Sequence, residues 1–142
     1  MSGRQQGCRR SVYGPGDDFD LETAHVLPAL LRKAHEAKEA AQNGSDAPVT
    51  LWGLGTPKRE FLYVDDLADA VRFVLETSEE EIRKVAPDGM LNVGVGEDLS
   101  INELMALIQG VVGHDGPIEH DRTKPDGTPR KLVDTTRMEA LG

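Results

Sequence analysis

Three stretches of this chain repeat apolar residues at helical spacing, and short apolar segments too brief for helices lie between them. The stripes are Leu27, Leu30, Leu31 and Ala34; Leu67, Ala70, Val71, Val74 and Leu75; and Ile101, Leu104, Leu107, Ile108 and Val111. Recurrence at i, i+3, i+4 and i+7 gives a helix one apolar face, so each stripe must pack against something by that face alone. The intervening segments Val49 to Trp52, Arg59 to Val64, Met90 to Val93 and Pro117 to Glu119 read as short strands. Helices alternating with strands make this an α/β chain. At 142 residues it can bury one core.

Local signals set the boundaries. Tyr13 to Asp20 is rich in turn formers and reads as a loop; Glu22, Thr23 and Pro28 mark the start of a first helix that runs to about Ala41. Gln42 to Ala47 breaks it, and Gly53 to Pro57 ends the first strand. Asp65 or Asp66 is a suitable N-cap for the second helix, which the acidic run Glu79 to Glu81 extends or solvates. Ser100 with Glu103 spells a capping box for the third helix, and Gly113 closes it. Asp121 to Lys131 reads as a long polar loop before Leu132, Val133 and a helix starting at Asp134. Residues 1–12 are polar, basic and without period, an irregular or foreign start to a domain over 13–142.

Charge narrows the partners. The net charge is −9, although Arg4, Arg9 and Arg10 sit in the first ten positions, so the rest of the chain is more acidic still. Such a chain repels nucleic-acid backbones and anionic lipid, which leaves a small anion in a local basic pocket as the charged ligand to look for. Cys8 is the lone cysteine, no Cys/His cluster has metal spacing, and no apolar run reaches the length of a membrane span. A cytoplasmic chain with no metal site, no nucleic-acid partner and no membrane partner is the expectation.

Three loops carry candidate chemistry. Gly94-x-Gly96 between strand and helix invites comparison with a dinucleotide fingerprint, but Leu99 stands at the third glycine position and Glu97, Asp98 and Ser100 fill the loop. A strand-to-helix turn is the better reading there. The Gly53-x-Gly55-Thr-Pro57-x-Arg59 loop puts Trp52 and Arg59 together, an aromatic face and a planar cation suited to a base and a phosphate; a structural hairpin with a core Trp is equally open. Lys124 to Lys131 offers three cations around a rigid turn, either a local anion site or an exposed loop. His25 lies at a helix start, where the positive dipole end favours a neutral imidazole. His35, His114 and His120 have no partner at telling spacing and read as surface residues. No nucleophile with a base is evident.

Taken in order, Tyr13-Gly-Pro-Gly-Asp-Asp-Phe19, His25-Val-Leu-Pro-Ala-Leu-Leu-Arg-Lys33, Trp52-Gly-Leu-Gly-Thr-Pro-Lys-Arg-Glu-Phe-Leu-Tyr-Val-Asp-Asp66, Leu91-Asn-Val-Gly-Val-Gly96 and Lys124-Pro-Asp-Gly-Thr-Pro-Arg-Lys131 resemble the GDP-L-fucose synthases. These are extended short-chain dehydrogenase/reductase enzymes of the NAD-dependent epimerase/dehydratase family. The likeness runs from about Ser11 to Gly142. It implies the C-terminal substrate-binding part of such an enzyme, a small mixed sheet with about three main helices. The Rossmann half, with its glycine fingerprint and Tyr-x-x-x-Lys set, has no counterpart here and could be a separate chain. Where the family reads Asn-Leu before Tyr-Gly-Pro, this chain has Ser11-Val12 preceded by Arg9-Arg10, in place of a buried strand.

The resemblance implies an NADP-dependent epimerase-reductase that epimerises a GDP-linked 4-keto-6-deoxy-mannose at two carbons and then reduces the ketone. It also implies a homodimer. His25 matches the acid/base histidine that protonates a carbanion near the cofactor; Lys33, Trp52, Arg59 and Asp126 match substrate contacts. Helical spacing alone would choose Arg32, seven residues beyond His25, over Lys33 at eight. This chain alone is expected to be inactive and to hold NADP(H) weakly. The alternatives are a noncatalytic GDP-sugar binding module and part of an epimerase or dehydratase for another nucleotide sugar.

Overall fold

The computed structural model describes residues 11–45 and 48–142. Of the irregular start expected over 1–12, residues 1–10, with Cys8 among them, lie outside the described residues, as do Asp46 and Ala47 at the end of the first helix breaker. The elements run β1 (Ser11–Tyr13), α1 (Val26–Gln42), β2 (Val49–Trp52), β3 (Lys58–Arg59), β4 (Phe61–Tyr63), α2 (Val64–Glu76), α3 (Glu79–Val85), β5 (Leu99–Ser100), α4 (Ile101–Val112), β6 (Ile118–Asp121), β7 (Arg130–Lys131) and α5 (Thr136–Leu141). The α/β class stands, with the strands in three small sheets. β1 pairs β4 in parallel, β2 pairs β6 in parallel, and β3 lies between antiparallel β5 and parallel β7.

The core forms where α1 and α4 close on β2. Leu30, Ala34 and Ala37 from α1 meet Val49 and Leu51 from β2 and Leu104, Met105 and Ile108 from α4. Alternation along β2 turns Val49 and Leu51 inward and Trp52 outward, because successive strand side chains take opposite faces. Leu107 and Val111, expected in the α4 stripe, are exposed instead, and Met105 is buried in their place. At the far end of α4, Lys38 Nζ donates to the Val112 carbonyl at 2.7 Å, a cation on the last turn's orphan acceptors.

Both ends of α4 follow its sequence. Glu103 N donates to Ser100 Oγ at 3.1 Å, Ser100 N donates to Glu103 Oε2 at 2.7 Å, and Gly113 takes φ +71° as the C-cap. A second capping box, Ser78 with Glu81, starts α3 as a separate helix and corrects the reading of Glu79 to Glu81 as an extension of α2. Thr77 is extended and ends α2 before it. The N-cap of α2 is Tyr63, so Asp65 and Asp66 fall in its first turn.

Other boundaries also differ from expectation. Ser11 and Val12 are not irregular: with Tyr13 they form β1, because the apolar β4 segment offers them a parallel partner. The expected strand from Arg59 to Val64 breaks at buried Glu60, which separates β3 from β4 into different sheets. Met90 to Val93 forms no strand; Asn92 Nδ2 donates to the Asp134 carbonyl at 3.0 Å, a side-chain bond rather than a ladder. Arg130 and Lys131 leave the expected loop to become β7. His114, expected at the surface, is only 4% exposed, since Gly116 has no Cβ and its backbone lies against the imidazole. His35 and His120 are exposed.

Candidate functional site

β2 ends at Trp52, and the chain then turns sharply through Gly53 and Gly55, at φ +69° and +68°. That left-handed backbone favours glycine, and here the space demands it too. A Cβ on Gly53 would overlap Asp126 Oδ1, and one on Gly55 would overlap Asn102 Oδ1. The turn is pinned from both sides by those same residues. Leu54 N donates to Asp126 Oδ1 at 2.6 Å, Asn102 Nδ2 donates to the Leu54 carbonyl at 3.1 Å, and Asn102 N donates to the Gly55 carbonyl at 2.9 Å. His120 Nε2 lies 3.0 Å from Asn102 Oδ1. β2 pairs β6, not β3 or β4, so the segment is no hairpin, and Trp52 is 56% exposed rather than a core residue.

This fixed turn borders a cavity of about 280 Å³ between the α1 N-terminal half and the Lys124 to Lys131 loop. Lys33, Trp52, Arg59 and Asp126, remote from one another in sequence, all line it. Lys33 Nζ donates to the Thr50 carbonyl at 3.0 Å, and partial burial of its ammonium pushes Lys33 below the usual lysine range. Arg59 Nη1 donates to the Lys58 and Thr128 carbonyls, each at 2.7 Å, which orients the guanidinium plane. Arg32, the residue favoured by helical spacing, instead bonds Glu36 at 2.6 Å and the Phe19 carbonyl at 3.0 Å.

His25 stands at the rim. It caps α1 from an extended backbone and its carbonyl accepts from Ala29 N at 3.1 Å, while its neighbours Ala24 and Val26 line the cavity. Its own side chain is exposed and is not among the lining groups.

The Gly94 to Gly96 loop has already found its anion. Buried Glu60 accepts from Val95 N at 2.6 Å and Gly96 N at 2.8 Å through Oε1, and from Val133 N at 3.3 Å through Oε2. Backbone donors that could meet a cofactor diphosphate are therefore spent on a carboxylate of the same chain. Gly94 leaves room for that carboxylate, because a Cβ there would overlap Glu60 Oε1. This loop does not fit a dinucleotide.

Sequence reasoning missed Glu60 and Asn102 in this region, and named Lys124 only as one of three cations of its loop. Glu60 carried a readable signal, an acid at the head of the apolar run Phe61 to Val64. Asn102 carried none, because its role depends on a turn 48 positions earlier. Lys124 places its ammonium 5.1 Å from the Trp52 ring centroid, and Lys33 stands 5.8 Å from the same ring. Of the other cations in its loop, Arg130 pairs with Asp98, which is 6% exposed and which Lys58 also approaches at 4.0 Å. Arg130 beside it holds the Asp98 carboxyl below the usual carboxylate range.

Comparison with known proteins gives this geometry relatives. A model of the NAD dependent epimerase/dehydratase family matches residues 10–94. The chain is 49% identical to the GDP-L-fucose synthase of Escherichia coli (strain K12), covering 93% of this chain and 40% of that protein. It is 46% identical to GDP-L-fucose synthase 1 of Arabidopsis thaliana, covering 96% of this chain and 39% of that protein. Among solved structures, a GDP-L-fucose synthetase from Naegleria fowleri bound to NADP superposes with a TM-score of 0.75 at 28% identity, over 92% of this chain and 38% of that one. The chain spans about two fifths of the length of the curated relatives it matches. No helix among the described residues is long and apolar enough to cross a membrane.

Proposed function

The chain belongs to the NAD dependent epimerase/dehydratase family, and from that premise we propose that it is the GDP-sugar-binding part of an NADP-dependent GDP-L-fucose synthase. One observation carries this reading: Lys33, Trp52, Arg59 and Asp126 share the 280 Å³ cavity although up to 93 positions separate them. Lys33 and Arg59 would meet the diphosphate, the ammonium as a point charge and the guanidinium as an oriented fork. Trp52 offers a partly exposed ring at the nucleoside end. Asp126, with Oδ1 committed to Leu54 N, has its second oxygen for a sugar hydroxyl.

In that arrangement His25 acts as the acid/base group. A ring carbon beside a ketone exchanges protons only with a donor close by, and what supports His25 in that role is its place as N-cap of α1, between the cavity-lining Ala24 and Val26. NADPH, when bound in the complete enzyme, supplies the hydride that reduces the ketone. Among the described residues the glycine loop cannot cradle its diphosphate, so no step through the cofactor is assigned to this chain. The same occupied loop favours, as a second reading, a GDP-sugar binding module without redox activity. A cytoplasmic location is part of this proposal under either reading, supported by the acidic balance and the lone cysteine.

The test is a titration of the chain with GDP, read on Trp52, the single tryptophan. GDP is expected to quench it, with weaker binding at higher salt. Arg59→Lys keeps the charge but loses the fork, and is expected to weaken GDP by about 1 to 3 kcal/mol. Arg72→Lys, on α2 and paired with Glu76, serves as the control with no change. Unchanged Trp52 emission at millimolar GDP would remove the cavity assignment. Tight NADPH binding by calorimetry would overturn the view that this chain lacks a cofactor cradle.

A further inference from the structure

We propose that Lys124 is a further ligand-contacting residue of this cavity, its ammonium gripping the diphosphate of the bound nucleotide-sugar with the Trp52 indole as its seat. The proposal rests on the GDP-sugar reading above and assigns a third cation to it. Pro125 and Asp126, the next two residues, line the cavity, and Asp126 Oδ1 ties their loop to Leu54 N. Lys124 N donates to the Asp121 carbonyl at 3.2 Å, so the residue leaves β6 through a closed turn rather than a loose strand. Its Nζ stands 5.1 Å from the Trp52 centroid, and Lys33 Nζ stands 5.8 Å from the same point. Two ammoniums therefore lie within about 11 Å of each other beside one cavity, in a chain of net charge −9.

Several other cations of the described chain have found carboxylates: Arg32 with Glu36, Lys58 and Arg130 with Asp98, Arg72 with Glu76, Arg83 with Glu79, Lys84 with Glu80 and Arg137 with Asp88. Lys124 instead lies over a ring. Asp121 feels its field, but Asp121 Oδ1 is already taken by the Thr123 amide at 3.0 Å and hydroxyl at 2.6 Å. A cation over an exposed aromatic ring is held more weakly than a cation hydrogen-bonded to a phosphate oxygen. The ring thus keeps the ammonium at the cavity mouth while a diphosphate can draw it away. A diphosphate also has enough charged oxygens to answer Lys33, Arg59 and Lys124 together. Cavity-lining Glu22 and Asp126 balance Lys33 and Arg59 in number, so Lys124 supplies the one positive charge in excess.

Calorimetry of GDP and of guanosine binding to the chain, to Lys124→Met and to Lys124→Arg, tests this. Methionine keeps the stem without the charge. GDP affinity is expected to fall about tenfold in Lys124→Met, with guanosine affinity unchanged and a shallower salt dependence, and to recover largely in Lys124→Arg. GDP affinity within twofold of the parent in Lys124→Met overturns the Lys124 assignment and leaves the cavity reading intact. Equal losses for GDP and guanosine overturn it too, because the lysine then supports the loop rather than the diphosphate. A parent chain that binds no GDP at millimolar concentration overturns both readings together.

Discussion

The Gly53 to Gly55 turn and the Gly94 to Gly96 turn are spelled alike, and both sit where a strand-like segment gives way to a loop. Their surroundings differ in who answers their backbone. At Gly94 to Gly96, two amides converge on the buried Glu60 carboxylate of the same chain. At Gly53 to Gly55, Asp126 and Asn102 hold the turn from outside, and the space beside it stays open and lined by cations. Glycine spacing in a sequence therefore reports a backbone that must bend or approach closely. Which partner it approaches is decided by side chains far along the chain.

The sharpest way to break this contrast is Glu60→Ala. Three amides would lose their acceptor in a buried place, at a cost of about 3 to 5 kcal/mol in unfolding free energy by urea titration. A loss below 1 kcal/mol would mean that water replaces the carboxylate and that the loop is open after all.

Next in size is a paired glycine test. Gly53→Ala meets both a left-handed backbone and Asp126 Oδ1, whereas Gly96→Ala meets the left-handed backbone at φ +78° with only Thr135 Oγ1 at 3.6 Å. Gly96→Ala is expected to cost about 1 to 2 kcal/mol and to leave GDP binding alone. Gly53→Ala is expected to cost more and to weaken GDP as well, because relieving the overlap moves Asp126 and Trp52. Equal effects of the two substitutions on GDP would erase the distinction between the loops.

The smallest effect belongs to the second carboxylate near these turns, Asp98. Arg130 holds its carboxyl below the usual aspartate range in the folded chain. The stability it contributes is complete above that usual range and disappears as pH falls through the depressed folded value. Asp98→Asn is expected to flatten that part of the acid limb of a stability-against-pH curve. An unchanged acid limb would show that Asp98 and Arg130 do not couple to folding.

How much of this was legible followed from how local each signal was. The Ser100 to Glu103 box and Gly113 lie within one helix and its ends, and α4 begins and ends where they say. Ser78 to Glu81 is spelled the same way, but the acidic run after it masked the stop that extended Thr77 imposes. Trp52 was legible in part: the sequence left a ligand-facing ring and a core hairpin equally open, and the alternation of β2 from buried Val49 turns it outward. Lys33 over Arg32 could not come from helical spacing, because the choice depends on Thr50, Glu36 and Phe19. His114 was illegible, since its burial depends on a glycine backbone two residues on folding over the ring.

The parallel pairing of β1 with β4 has a consequence for the order in which this chain can assemble. Ser11 partners Phe61, so the pair closes a loop of about fifty residues, and the α1–β2 part of the core lies within that loop. Closure of so long a loop before its contents have compacted loses chain entropy that three residues of ladder cannot offset. Once α1 has docked on β2 the two ends are already near each other, and the tilted Tyr13–Tyr63 ring contact at 5.5 Å can form as a clasp. The α1–β2 wall of the cavity thus lies inside a circuit whose fastening comes late, while Pro125 and Asp126 reach the cavity from beyond that circuit.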